Sequence, residues 1–234
     1  MKSSNLRKLS GALLLVVGTT SGIWADEPVQ SPFLTAGTHR LSLDVGAGIP
    51  TGVNNFSDSQ KIGPMDGLQY LYLMDEYWGV GVQADYFHFP AKEQTFLSSI
   101  GGGLNARSRD DAATLEVMGR YNLSPNARFA PYLHSGLGLT YFHQSTEGEP
   151  LAGSTWNDTG TAETRQLQDV KTLNFAYSFG AGVETSFSDN LVLGLEASWY
   201  IFGVSKSTFG TATINAPTVS LRLGWRFRNF SHSL

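Results

Sequence analysis

Apolar and polar residues alternate with a period of two along most of this chain, and each alternating run is the mark of a strand whose two faces meet different surroundings. The clearest run lies near the end, with Val219, Leu221, Leu223, Trp225 and Phe227 on one face and Ser220, Arg222, Gly224 and Arg226 on the other. Its closing Trp-x-Phe suits an aromatic girdle at a membrane interface. Leu41, Leu43, Val45 and Ala47 oppose Arg40, Ser42, Asp44 and Gly46 in a first strand. A second strand covers about 67–74, where Tyr70, Leu71, Tyr72 and Leu73 are all apolar and the faces are not told apart. A third sets Trp78, Val80, Val82, Ala84 and Tyr86 against Gly79, Gly81, Gln83 and Asp85. Leu115, Val117 and Tyr121 oppose Thr114, Glu116, Met118 and Arg120 in the fourth, and Leu133, Leu137, Leu139 and Tyr141 oppose His134, Gly136, Gly138 and Thr140 in the fifth. The sixth sets Leu173, Phe175, Tyr177 and Phe179 against Asn174, Ser178, Gly180 and Glu184, and the seventh sets Leu193, Leu195 and Trp199 against Gly194, Glu196, Ser198 and Tyr200. With the closing run the strands number eight.

The connections sort by length. Long ones follow the odd-numbered strands, over 50–66, 90–110, 144–169 and 205–216, and short ones follow the even-numbered strands at Asp75-Glu76, Ser124–Asn126 and Ser188–Asn190. An even-stranded up-and-down barrel with both ends in the periplasm shows this pattern, with short inner turns and long outer loops. A soluble sandwich or a lipocalin-like barrel has no reason to sort its loops. Beyond residue 25 nothing approaches the ~18 continuous apolar residues of a membrane helix. In a membrane the chain must therefore form a closed barrel, since lipid leaves backbone polar groups no other partner. The expected fold is an all-β, eight-stranded antiparallel transmembrane β-barrel.

Alternation does not say which face is outside, but residue size does. The polar face is dominated by Gly, Ser, Ala and Thr, as the narrow interior of an eight-stranded barrel requires. The charges Arg40, Asp44, Asp85, Glu116, Arg120, Glu184, Glu196, Arg222 and Arg226 are then enclosed and must pair or hydrate. A plug of ion pairs and water is the leading reading and a narrow ion path the other. Glu196 and Arg222 fall at similar heights on adjacent strands, with Asp44 a further neighbour of Arg222. On the lipid face, Trp78, Tyr86, Tyr121, Tyr141, Trp199, Trp225 and Phe227 make the girdle.

Composition fits this picture without proving it: 26 glycines, 12% aromatic and 15% charged residues average to a mean hydropathy of -0.13. Residues 1–25, with Lys2, Arg7 and Lys8 before an apolar run from Ala12 to Val17 and Ala25 before Asp26, read as a signal peptide. Residues 26–36 read as a periplasmic lead-in, 37–228 as the barrel and 229–234 as a short tail. Removal of the leader's three bases takes the formal net charge from -4 to -7, which argues against nucleic acid as a partner. The chain has no cysteine, hence no disulfide and no thiolate metal site.

Pro131-Tyr132 followed by Gly136-x-Gly138, then Gly180-x-Gly182, Leu193-Gly194-Leu195-Glu196 and Gly224-x-Arg226-Phe227 resemble the small eight-stranded outer-membrane barrels of the OmpA-like and opacity-type families. The resemblance spans nearly the whole mature chain. It implies an outer-membrane location, contact with outer-membrane lipid and lipopolysaccharide, and insertion by the barrel-assembly machinery. Peptidoglycan-binding members continue well past the last strand, whereas this chain stops at Leu234, so that role is not carried over.

Candidate chemistry is sparse. The histidines form no metal-ligand set, and no cofactor is expected. His134 and Ser135 are adjacent in a strand and face opposite sides. Gly101–Gly103 lack the strand-to-helix context of a phosphate cradle. His143 and Ser145 share the lipid-facing side at the outer rim, with Glu147 and Glu149 nearby, and resemble the His-x-Ser element of outer-membrane lipid A deacylases, in which the serine attacks a lipid ester with His as base. That family places asparagine after the serine, where Thr146 stands here. Three readings are open: a non-enzymatic surface barrel, a conduit for small solutes and a lipid-modifying esterase. Interaction with an extracellular ligand falls to the loop 144–169, where Glu147, Glu149, Asp158, Glu163 and Asp169 outnumber Arg165.

Overall fold

The alternating segments form strands because each can bury one face in a narrow interior and turn the other outward, while the backbone groups within the ring bond to the strands on either side. A computed structural model describes residues 34–51, 60–90, 94–98, 102–150, 165–204 and 213–228. The strands are β1 (Thr38–Gly48), β2 (Gly63–Leu73), β3 (Trp78–Phe89), β4 (Gln94–Ser98), β5 (Gly102–Asn122), β6 (Phe129–Pro150), β7 (Arg165–Ser186), β8 (Leu191–Gly203) and β9 (Thr213–Arg228). Neighbours pair antiparallel in chain order, β1 meets β9, and β3 pairs with β5 to complete the ring. Eight strands thus close an all-β barrel. The ninth, β4, pairs only with the far end of β5, beyond the point where β3 stops at Phe89.

One end of the barrel carries the short connections. Asp75 Oδ1 accepts the backbone N–H groups of Tyr77 and Trp78 at 2.7 and 2.6 Å, which holds the β2–β3 turn. Ser188 Oγ does the same for Leu191 N at 3.2 Å before β8. At the opposite end, all four expected loops are shorter than their polarity suggests, the last because β9 already starts at Thr213. β2 already starts at Gly63, β5 at Gly102, and β6 and β7 run on to Pro150 and back to Arg165, with a register shift at Thr146/Glu147. The segments 90–110 and 144–169 therefore contain paired strand that extends well into the expected loops. Outside lipid a ladder needs no apolar face, so alternation fades while backbone pairing continues. With 21 and 22 residues against 11 in β1, β5 to β7 stand about ten residues taller, roughly 30 Å of extended chain.

The outward band is apolar, with Val45, Leu115, Val117, Leu137, Leu173, Phe175 and Leu221 all exposed. β2 resolves its ambiguous run by turning Leu68, Tyr70 and Tyr72 outward and Gln69, Leu71 and Leu73 inward. The aromatic residues form two rings. Trp78, Tyr121, Trp225 and Phe227 lie near the turn end, with Trp78 and Tyr121 at 4.7 Å and His39 stacked on Phe227 at 5.7 Å. Tyr86, Tyr141 and Trp199 lie toward the tall end. From Trp78 to Tyr86 the chain climbs eight residues of β3, roughly 26 Å along a tilted strand, which suits the apolar height of an outer-membrane barrel.

Leu34, expected in a featureless lead-in, is instead 1% exposed and packs with Leu71, Leu73 and Ala130 across the turn-end mouth of the lumen. The expected signal peptide, the rest of the lead-in before Leu34 and the tail 229–234 lie outside the described residues.

Candidate functional site: a filled lumen and a polar rim

Inside the barrel the side chains fall into tiers. Above the Leu34 cap, Glu184 of β7 accepts two hydrogen bonds from Arg120 at 2.7 and 2.6 Å and one from Arg40 at 2.6 Å. Arg222 of β9 grips Asp44 of β1 through Nε and Nη2 at 2.7 and 3.0 Å, and its Nη1 reaches Glu196 at 2.9 Å and the Tyr132 hydroxyl at 3.0 Å. Tyr132 donates to Glu196 at 2.7 Å, and the Arg120 guanidinium lies 3.6 Å over its ring. A side chain at Gly182 would collide with that ring, which is why the position opposite Tyr132 in β7 is glycine. Ser198 donates to Glu196 at 2.8 Å, and His134 Nε2 lies 3.0 Å from the same hydroxyl. Three guanidinium groups, those of Arg40, Arg120 and Arg222, thus face three carboxylates, those of Asp44, Glu184 and Glu196, all at most 2% exposed. Buried charges persist only when paired and hydrogen-bonded in this way.

The remaining interior charges have other partners. Asp85 is held by Gln83 at 3.1 and 3.0 Å and by the Tyr200 hydroxyl at 2.9 Å, and Glu116 by Ser178. Arg226 sits lower and donates to Ser186 and to the Ser188 carbonyl, tying the last strand to the β7–β8 turn.

The upper half of the interior departs from the sequence expectation of ion pairs and water throughout. Met65, Phe87, Phe89, Phe142, Tyr200, Phe202 and Ile214 form an apolar cluster there, each at most 1% exposed. Phe87 packs edge-on against Tyr200 and Phe202 at 4.9 and 5.3 Å. The available signal was the loss of alternation in Tyr86-Phe87-His88-Phe89 and Trp199-Tyr200-Ile201-Phe202, where both faces turn apolar. At the top of this tier, above the Tyr86–Tyr141 ring and so beyond the membrane, Asp110 is fully buried. Burial pushes its carboxyl up to about 7. Neither of its oxygens is in hydrogen-bond geometry among the described residues, and the Gln144 and Gln60 side chains offset the shift only in part.

On the outside of the same rim, polar side chains succeed the aromatic ring. His88, Asp111, His143 and Lys171 form one cross-strand row over β3, β5, β6 and β7, and Arg109, Ser145 and Asp169 form the next. Asp111 joins His88 at 2.7 Å, Tyr86 at 2.8 Å and Arg109 at 3.1 Å. His143 Nε2 meets Asp169 at 2.7 Å, and Lys171 approaches the same carboxylate at 3.3 Å. The hydrogen bond from His143 and the Lys171 ammonium hold the Asp169 carboxyl below the usual range. The acid beside His143 is therefore Asp169 of β7, not Glu147 or Glu149, a pairing that cross-strand register alone decides. Ser145 shares the face of His143 but makes no hydrogen bond among the described residues.

The profile of the outer membrane protein beta-barrel domain matches residues 14–227. The chain belongs to that family. Among solved structures, this outer-membrane barrel is similar to a major outer membrane protein of Thermus thermophilus, at 13% identity and a TM-score of 0.50, over 81% of this chain and 99% of that one. Neisserial surface protein A is similar at 13% identity and a TM-score of 0.48, over 82% of this chain and 97% of that one. The attachment invasion locus protein Ail of Yersinia pestis is similar at 15% identity and a TM-score of 0.45, over 82% of this chain and 100% of that one. No curated protein sequence matches the chain.

Proposed function

We propose that this barrel is a structural or surface-interaction protein of the outer membrane, sealed to solutes and without catalytic activity. Both termini lie in the periplasm and the tall end of β5 to β7 lies outside the cell. The filled lumen carries this reading: Leu34, the Arg–carboxylate tier and the Phe87–Phe202 cluster occupy it in succession, each nearly devoid of exposure. An eight-stranded barrel has room for side chains and none for an aqueous channel once they are packed. What remains available to partners is the tall rim, where the segment 144–169 is acidic and suits a basic ligand or cation-bridged lipopolysaccharide. Lipid surrounds the apolar band, and the assembly machinery inserts it.

Purified protein in planar bilayers is expected to show no steady conductance, and steady single-channel currents would replace this reading with the conduit. Protease added to intact cells is expected to cut within 147–165 and spare Ser124–Ala127 and Ser188–Asn190, whereas cleavage confined to those turns would invert the orientation. A variant lacking 147–165 should still insert and run as a heat-modifiable barrel while losing surface binding.

A lipid esterase is the second reading, favoured by the 2.7 Å His143–Asp169 contact on the face that carries Ser145. Loss of a lipid A acyl chain that depends on both His143 and Ser145, read by mass spectrometry, would establish it.

A further inference from the structure

We propose that the outward-facing rim cluster built on Arg109, Lys171, His88 and His143 is a binding site for the phosphorylated headgroup of an outer-leaflet lipid, whose acyl chains lie on the strand faces below. The inference rests on the orientation proposed above, which puts the tall end in the outer leaflet.

Position comes first. On β3, β5, β6 and β7 the last apolar outward residues are Tyr86, Ala113, Tyr141 and Leu173, and the next outward positions are His88, Asp111, His143 and Lys171. Successive outward residues on a strand are spaced by roughly 7 Å, so the cluster stands one step above the aromatic ring, at headgroup height. The Tyr86 hydroxyl joins the two layers by donating to Asp111 at 2.8 Å.

Charge comes second. Two permanent cations, Arg109 and Lys171, and two histidines, His88 and His143, which add charge only when protonated, surround two acids, Asp111 and Asp169. Arg109 engages Asp111 through its Nε and is 62% exposed, while Lys171 contacts Asp169 and is 54% exposed. A guanidinium has five N–H donors and an ammonium three, so both retain several. The acids therefore hold the cations in place without saturating them. Ser145 lies between Arg109 and Asp169 in the register and adds a hydroxyl that makes no hydrogen bond among the described residues. Phosphate oxygens are the acceptors that such a set fits, with arginine able to engage two at once.

Continuity selects a lipid over a soluble phosphate. Directly below the cluster the same strands expose Leu115 at 62%, Leu173 at 67% and Phe175 at 75%. An amphiphile seated with its phosphate on Arg109 and Lys171 lays its chains along this surface. A free phosphate gains nothing from it.

The test uses the full chain refolded in a maltoside detergent, free of other phosphate, with bis-phosphorylated lipid A as probe and native mass spectrometry as readout. Wild type should retain lipid A, and Arg109→Gln with Lys171→Gln should weaken binding about tenfold or more, the worth of one or two charge-assisted hydrogen bonds. Dephosphorylated lipid A should bind wild type no better than phosphorylated lipid A binds the double variant. Heat-modifiable migration reports whether that variant is folded, and Arg109→Lys, which keeps the charge, should bind within a few-fold of wild type. Equal retention by wild type and a folded double variant overturns the proposal, as does indifference to the phosphates. Displacement by equimolar inorganic phosphate overturns the assignment to a lipid. Binding in detergent does not depend on orientation. Inverted protease accessibility in cells with intact binding would thus overturn the orientation and the assignment to the outer leaflet, and lost binding with the expected accessibility would fault this site alone.

Discussion

The two halves of the lumen are built on the same strands by opposite means. β8 contributes Glu196 and Ser198 to the charged tier and, a few residues on, Tyr200 and Phe202 to the aromatic one. β3 passes from Gln83 and Asp85 to Phe87 and Phe89 in the same way. The aromatic tier fills space without direction, and any set of rings of similar volume would exclude water there. The charged tier is directional. Asp44 and Arg222 are register partners across the β1–β9 seam, so their bidentate pair forms only when the first and last strands meet without a slip. A one-residue slip of either strand would turn its charge toward lipid and leave the other enclosed without its partner. Burial seals this barrel while ion pairing specifies its closure, and each tier fails in its own manner when broken.

The largest effect is expected from Glu184→Ala, which leaves Arg40 and Arg120 buried with no counter-charge between them. A loss of roughly 3–5 kcal/mol is expected in urea unfolding of the vesicle-inserted protein. An unchanged midpoint would mean that water already hydrates the pair. Phe87→Ala in the other tier should cost about 3 kcal/mol through the cavity it leaves, and Phe87→Leu less than about 1.5 kcal/mol. If the conservative change costs as much as the truncation, the aromatic tier is as geometrically exacting as the charged one, and the contrast between them collapses.

Stability should also depend on pH through Asp110, the ionisable group at the top of the aromatic tier. Asp110 titrates at about 7 in the fold and near the ordinary carboxylate value when unfolded. The folded state therefore binds its proton more tightly, and the stability linked to this group is fully present below about pH 4 and lost as the pH rises to about 7. Asp110→Asn should remove that decline, so the variant gains on wild type by roughly 2–4 kcal/mol by pH 8 and matches it near pH 4. Parallel stability curves for the two proteins would show that water reaches the carboxylate. The smallest effect is expected from Leu34→Ala, about 1 kcal/mol, because this cap closes the turn end from a segment outside the strand ladder.

How much of this was legible beforehand follows from which interactions are local. The period of two from Val219 to Phe227, and the like runs before it, carry the strands, their outward faces and the barrel class, because side-chain alternation is a property of a single strand. Length sorting of the connections likewise needs no partner. The enclosed set from Arg40 to Arg226 was readable as enclosed for the same reason, although three residues for Glu184's site alone come from β1, β5 and β7.

The partnership of Arg222 with Glu196 and Asp44 could be read from strand order and height, but the other cross-strand contacts were settled only by the folded barrel. The sequence could not show that Glu184 serves two arginines, that Asp169 and not Glu147 or Glu149 meets His143, or that His88, Asp111, His143 and Lys171 line up across four strands. Nor could it show that β6 and β7 pair far beyond the membrane, since a ladder held by backbone hydrogen bonds leaves no apolar stripe in water. Alternation is written into each strand, but register, closure and the heights at which charges meet are set by pairing between segments as distant as Asp44 and Arg222. Those pairings exist only once the ring is shut.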